Sequence, residues 1–289
     1  YIYGQLPDVL SVDPYFQVRL ANALWKHPNR VPVYTKATYV YAVAEINRSA
    51  CEPNPLHVIL YACSLIDGAN KRFFPFPTPQ SKRIEVYYAL AAGAKGLSYW
   101  WYTPTANPSR TNEKSSHGVG AAMVMGDAAA GALWKEIGLL GAEVRTAGPV
   151  LVTSCPVDLD IEATEGLWTR LLLAGQDTLV LLAVNDRYAN SEKGMQYQRL
   201  ARAGATVTLP VWLQSPKVFE ITSKGTKNVA SRAAGNRLTV DLGGVNLTRM
   251  IVVTSDAGLR GRLQRLYDTQ FREKVGRIET PPATPARRR

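Results

Sequence analysis

"PTPQSKRIEVYYALAAGAKGLSYWWYT", residues 77–103, carries a helix and the strand that follows it in one stretch. Its proline-rich opening suits a helix entry, where a missing N–H costs nothing. Ile84, Tyr87, Tyr88 and Ala91 recur at helical spacing, and Gly93 marks the stop. The remainder, from Ala94, is a run of strand length that ends in Tyr99, Trp100, Trp101 and Tyr102. Two similar apolar runs lie upstream, "PDVLSVDPY" at 7–15 and "LHVILYACSLI" at 56–66. Continuous apolar runs of this length fit parallel strands buried on both faces. Lys36 to Ala50, between those two runs, has helical composition, with Pro53 to Pro55 at its exit. A long alanine-rich helix is expected from about Gly120 to Glu143. The order is β-α-β-α-β-α, for which a parallel sheet with right-handed crossovers is the economical solution. Three such units leave open edges, which strands from additional upstream sequence would cover.

Beyond "AGPVLVTS" the period changes. "GLWTRLLLAG", "DTLVLLAVN", "ATVTLPVWL", "KVFEITS", "NRLTVDLGG" and "LTRMIVVTS" follow one another with turn residues between them. Leu238, Val240 and Leu242 alternate with polar neighbours. This spacing predicts an antiparallel β-sandwich over 150–256. From Gly258 to Arg277, Leu259, Leu263, Leu266 and Phe271 outline a basic amphipathic helix, and "TPPATPARRR" reads as a tail. The expected fold is α/β plus all-β, with α/β units over 1–149, the sandwich over 150–256, and a C-terminal helix and tail over 257–289.

The 289 residues are 46% hydrophobic and 20% charged, an ordinary globular composition. The chain starts at Tyr1 without a methionine or a signal-like region, which reads as a piece of a longer chain or a processed product. The compartment is left open, with an extracytoplasmic or secreted setting as one expectation. No apolar stretch reaches the roughly 18 residues of a bilayer span, and no membrane partner is expected. The net charge is +11, of which +5 sits in the final 34 residues. Diffuse charge without a zinc-finger or RNA-binding signature argues against a nucleic-acid partner. Cys51, Cys63 and Cys155 form no metal or disulfide pattern and read as small buried thiols. No cofactor and no metal are expected, and the oligomeric state is left open.

In parallel α/β folds the C-terminal ends of the strands carry the ligand site. Three clusters qualify: Asp13-Pro14-Tyr15-Phe16, Tyr61-Ala62-Cys63-Ser64 and Tyr99-Trp100-Trp101-Tyr102. Alternation along a strand sends Trp100 and Tyr102 one way and Tyr99 and Trp101 the other. Aromatics at a strand exit suit the apolar face of a sugar ring, and equally suit capping of a core. Asp13 could accept hydrogen bonds from substrate hydroxyls or simply close an Asx turn. His117 lies in a polar loop as a ligand contact or a solvated histidine, and His57 starts a strand and reads as structural. Arg72 and "FFPFPTP" form a lid or a stiff connection. Glu45 and Glu85 are expected on solvated helix faces. "GVGAAMVMGDAAAG" lacks the Lys-Ser/Thr of a phosphate loop and reads as close helix packing.

Taken together, "LPDVLSVDPYF", "PTPQSKRIEVYYALAAGAKGLSYWWY", "DTLVLLAVN" and "VTLPVWLQSPKVFEI" resemble the C-terminal part of a carbohydrate-active (β/α)8-barrel protein, a glycoside hydrolase with an appended β-sandwich. The resemblance spans about residues 1 to 255 and implies that the three strands are the last three of the barrel. It implies a carbohydrate partner, and either hydrolysis of a poly- or oligosaccharide or retention as a non-catalytic glycan-binding module. Such enzymes use two carboxylates, in many families placed after the fourth and seventh strands. The second strand here ends in Tyr61-Ala62-Cys63-Ser64, without that glutamate. On this resemblance Asp13 and Asp67 are the candidate catalytic residues. Tyr15, Tyr61, Trp100, Trp101, Tyr102 and His117 are the candidate substrate contacts. The chain alone is expected to be inactive.

Overall fold

The run 178–185, TLVLLAVN, has no polar face, so a strand made from it needs cover on both sides. A computed structural model of the protein describes residues 3–15, 36–67, 72–103, 116–191 and 194–280. In order, the first part contains β1 (Leu10–Val12), α1 (Thr38–Cys51), β2 (Leu56–Tyr61), β3 (Cys63–Asp67), β4 (Arg72–Phe74) and α2 (Pro79–Ala91). It continues with β5 (Gly96–Trp100), β6 (His117–Gly118), α3 (Val119–Val124) and α4 (Ala128–Leu151). Twelve strands follow: β7 (Ser154–Val157), β8 (Ile161–Ala163), β9 (Leu167–Ala174), β10 (Thr178–Asn185), β11 (Tyr188–Ser191), β12 (Gly194–Tyr197), β13 (Leu200–Thr208), β14 (Lys217–Thr222), β15 (Gly225–Asn228), β16 (Ala230–Ala234), β17 (Arg237–Val245) and β18 (Thr248–Thr254). The helices α5 (Leu259–Gln270) and α6 (Arg272–Glu279) close the described chain. The architecture is mixed α/β with several antiparallel sheets. None of the described helices is long and apolar enough to cross a membrane.

The three early strands form a parallel sheet in the order β1-β2-β5, with Val12 beside Val58 and Tyr61 beside Trp100. The expected runs are trimmed in ways that matter. β1 is only three residues long and partly exposed, not a strand buried on both faces. "LHVILYACSLI" is two strands, because the chain leaves the parallel sheet at Ala62. From Cys63 it pairs antiparallel with β6 and β4. Helix α2 begins as read: the Thr78 hydroxyl accepts from Ser81 N–H at 3.1 Å, with Pro79 in the first turn. Gly93 ends it at φ +93°, where a Cβ would meet Arg48 Cδ at 2.7 Å. The alanine-rich helix is broken rather than continuous. Gly126 adopts φ +84°, and Asp127 caps a new helix by accepting from Ala130 N–H at 2.9 Å. That second helix, α4, absorbs Pro149 and runs to Leu151.

In the second part β10 lies inside a six-stranded sheet, β15-β14-β18-β10-β9-β7. All eight of its residues are buried. The side chains sort by parity. Leu179, Leu181 and Ala183 join the core shared with the four-stranded sheet β16-β17-β13-β8, against Val207, Leu238 and Val240. Val180, Leu182 and Val184 point the other way, into a core shared with Val40, Ile84, Tyr88 and Leu140 of the helices. Each such aliphatic is worth ~1.5–3 kcal/mol on burial, so one strand anchors two cores. Its polar ends are satisfied too. Thr178 meets the Thr254 hydroxyl at 2.8 Å, and Asn185 donates to the carbonyls of Gln198 and Asn246, both at 2.8 Å.

Helix α2 is therefore walled in by α1, α4, β2 and the six-stranded sheet. Burial changes the reading of its charges. Glu85, expected on a solvated face, is fully buried and ion-paired with Lys82, which is also fully buried. Arg83 bridges to Glu136 at 2.6 Å and Glu143 at 3.1 Å on α4, and Tyr87 donates to Glu143. Glu45, in contrast, keeps part of its side chain in solvent and accepts from Tyr41 at 2.6 Å. The basic C-terminal stretch folds back as two helices. Tyr267, Phe271 and Val275 pack on Ala142 of α4, while Arg262, Arg272 and Arg277 pair with local carboxylates.

Substituting Leu181 or Leu182 by Ala tests the two cores from one strand. Each should lower unfolding stability by ~2–5 kcal/mol in urea titrations, while Val211→Ala, at an exposed position, should stay within ~0.5 kcal/mol. Loss from Leu181→Ala alone would show that the helices do not share the cooperative unit.

Candidate functional site

The parallel register places the three strand exits side by side. Past Val12 the chain turns at Asp13, whose carbonyl accepts from Tyr15 N–H at 2.8 Å. Asp13 is exposed, Pro14 buried and Tyr15 partly buried. The Tyr15 hydroxyl lies beside the Asp13 carboxylate. Burial first, and that carboxylate second, push its pKa well up. Its ring meets Tyr61 at the end of β2, with centroids 5.8 Å apart. Tyr61 is wholly buried, and its hydroxyl, beside the Cys63 thiol, has no hydrogen-bond partner among the described residues. Burial raises Tyr61 in turn and lifts the Cys63 thiol to about 11. The ammonium of Lys82 lies close enough to pull that thiol partly back.

At the third exit the strand stops at Trp100, so alternation does not extend through Tyr102. Tyr99 faces α4, beside Leu140 and Val144, along a groove of about 340 Å³. Trp100 is 48% exposed, and its ring lies 6.1 Å from that of Trp101. Tyr102 does not share Trp100's surroundings. It turns back onto Trp134 of α4, with centroids 5.1 Å apart, and onto Gly120, where a Cβ would meet the Tyr102 ring at 2.7 Å. The Trp101 carbonyl accepts from Val119 N–H at 3.1 Å, and Gly118 leaves no room there for a side chain.

His117, read from the sequence as a loop residue, starts β6 and pairs with Ser64. That pairing brings it against the exit of β2, where the Ser64 hydroxyl donates to its carbonyl at 3.5 Å. Asp67 ends β3 opposite Arg72. Phe16, the side chains of Asp67 and Arg72, and most of the loop after Thr103 lie outside the described residues. Asp13, Tyr15, Tyr61, Cys63, Ser64 and His117 thus form one connected patch, with Trp100 and Trp101 on its β5 side. Tyr102 belongs with the helices. Cys63 and Ser64 belong to the strand-exit cluster read from the sequence, whereas Lys82 was missed as a neighbour of this patch. Only the burial of α2 brings Lys82 there, and that leaves no local pattern. His57 lies at the opposite end of β2, bonded to the Ser11 hydroxyl at 3.0 Å. Cys51 and Cys63 are buried as expected, but Cys155 is exposed.

No protein-family model and no curated protein matches the chain. It is similar in part to several solved structures. One is a cycloisomaltooligosaccharide glucanotransferase from Paenibacillus sp., at 10% identity and TM-score 0.43, covering 62% of this chain and 28% of that one. Another is a glycoside hydrolase family 5 protein from Bacteroides vulgatus, at 13% identity and TM-score 0.42, covering 77% and 46%. A third, titled glycoside hydrolase, gives 11% identity and TM-score 0.40 over 76% and 47%. The chain therefore spans less than half the length of each of these structures. At TM-scores below 0.5 the likeness carries no argument about substrate or activity.

Thiol labelling at pH 8 checks the electrostatics of this patch. Iodoacetamide should modify Cys155 rapidly in the folded protein and leave Cys51 and Cys63 unmodified, since burial raises both buried thiols. Rapid labelling of Cys63 at that pH would contradict the enclosed arrangement.

Proposed function

We propose that the chain is the C-terminal part of a carbohydrate-active (β/α)8-barrel protein that binds a poly- or oligosaccharide at the strand exits. In this reading β1, β2 and β5 are the last three barrel strands within 1–149. The two antiparallel sheets form an appended β-sandwich over 150–256, and 257–289 is a C-terminal extension. The observation that carries it is the half-exposed Trp100 beside Trp101, on the same sheet end as the exposed Asp13 carboxylate. An aromatic face stacks on the apolar side of a sugar ring, and a carboxylate accepts from its hydroxyls. Tyr15, Tyr61 and His117 would shape the floor between them. Tyr102 would act by holding the β5 exit against Trp134.

If the whole protein hydrolyses its ligand, Asp13 and Asp67 are the carboxylates this chain would contribute, and a pair is what glycoside hydrolysis requires. A second reading, a non-catalytic glycan-binding module, is favoured by the exit of β2. There buried Cys63 and Ser64 stand where many such enzymes place a glutamate.

Calorimetric titration against a panel of oligosaccharides tests the proposal. The parent chain should bind at least one of them without hydrolysing it. Trp100→Ala and Asp13→Ala should each weaken that affinity by about tenfold, the scale of one stacking or charge-assisted contact. Unchanged affinity in both variants, or no binding by the parent, would sink the reading.

A further inference from the structure

A second cleft, of about 410 Å³, opens where α2 and α4 meet the β14–β15 and β17–β18 turns. That volume suits a ligand the size of a monosaccharide. Arg83, Lys227 and Arg249 line it together with the carboxylates of Glu143 and Glu220. Both carboxylates are buried and already engaged. Glu220 takes Arg249 Nη1 at 2.8 and 2.6 Å and Lys227 Nζ at 2.8 Å. Glu143 takes the Tyr87 hydroxyl and Arg83 Nη1, the latter at 3.1 Å. Arg249 gives Nη2 to the carbonyls of Leu242 at 2.6 Å and Gly244 at 3.1 Å.

Every carboxylate oxygen of the cleft has a partner, so what its charged groups have left over is donor capacity. Arg83 commits Nε to Glu136, outside the cleft, and Nη1 to Glu143, which leaves Nη2. The Lys227 ammonium uses one of its three donors and is half exposed. Guanidinium and ammonium donors line a cleft whose carboxylates are engaged, beside the Ser223 hydroxyl and the Asn246 amide, which can donate as well. A guest that only accepts hydrogen bonds completes them, and one carrying negative charge does so best.

From this donor surplus we infer that the cleft binds a small oxyanion, the carboxylate of an acidic sugar or an inorganic or ester sulfate or phosphate group. The site is independent of the strand-exit patch and stands or falls separately from the glycan reading. Calorimetric titration of the whole chain with sodium sulfate, glucuronate and glucose at low ionic strength provides the test. Sulfate, glucuronate or both should bind saturably, and whichever binds identifies the anion. Glucose should not bind at this cleft. Lys227→Met, with a melting temperature near the parent's, should weaken anion binding by about fivefold to tenfold. The inference is overturned if neither anion saturates, or if Lys227→Met binds as the parent does. It is also overturned if glucose competes with glucuronate as an equal.

Discussion

The structure depends on the burial of both faces of β10. A strand with no polar side is stable only when covered twice, and the chain supplies two different covers. The four-stranded sheet packs on Leu179, Leu181 and Ala183, and the helices pack on Val180, Leu182 and Val184. This makes the six-stranded sheet a wall shared by the two parts of the protein. Helix α2 is held against that wall, β5 follows directly from α2, and the Trp100 exit follows from β5. The candidate site is thus positioned from behind, by apolar packing far from the residues that would touch a ligand.

Aromatic and polar contacts fix the same junction laterally. Trp168 of β9 meets Tyr41 of α1 and Tyr88 of α2 edge-on, at 5.0 and 4.8 Å. The Tyr188 hydroxyl accepts from Ala37 N–H at 2.8 Å, just before α1, and Lys36 lies 4.4 Å from the Tyr188 ring centroid. These contacts settle where α1 begins, although no side chain caps that helix. They also explain how ions can lie inside α2. Lys82 and Glu85 neutralise each other within a turn, and Arg83 is held by two carboxylates from α4.

How much could be read from the sequence follows the same physics. The strands β9, β10, β13, β14, β17 and β18 are legible because local apolar runs and turn residues define them. The opening of α2 and its stop at Gly93 are legible for the same reason. The short edge strands β7, β8, β11, β12, β15 and β16 left no such signal. Glu85 was misplaced because a charge on a helix ordinarily faces water, and only the tertiary wall around α2 reverses that. The break at Gly126 hid in a stretch whose alanines favour helix throughout. At the candidate site, strand-exit reasoning brought Asp13, Tyr15, Tyr61 and Trp100 into view. It could not separate Tyr102 from Trp100, because alternation ends where the strand ends. It also could not see that β6 would carry His117 to Ser64.

The account's central claim is that β10 and α2 belong to one cooperative unit joined by the shared core. Native-state hydrogen exchange measures this directly, by comparing the opening free energies of their amides across sub-denaturing urea. The prediction is a single value for the central amides of both elements, equal to the global unfolding free energy and falling with urea at the global slope. Exchange of α2 through a lower-energy opening that is insensitive to urea, with β10 still protected, would contradict it.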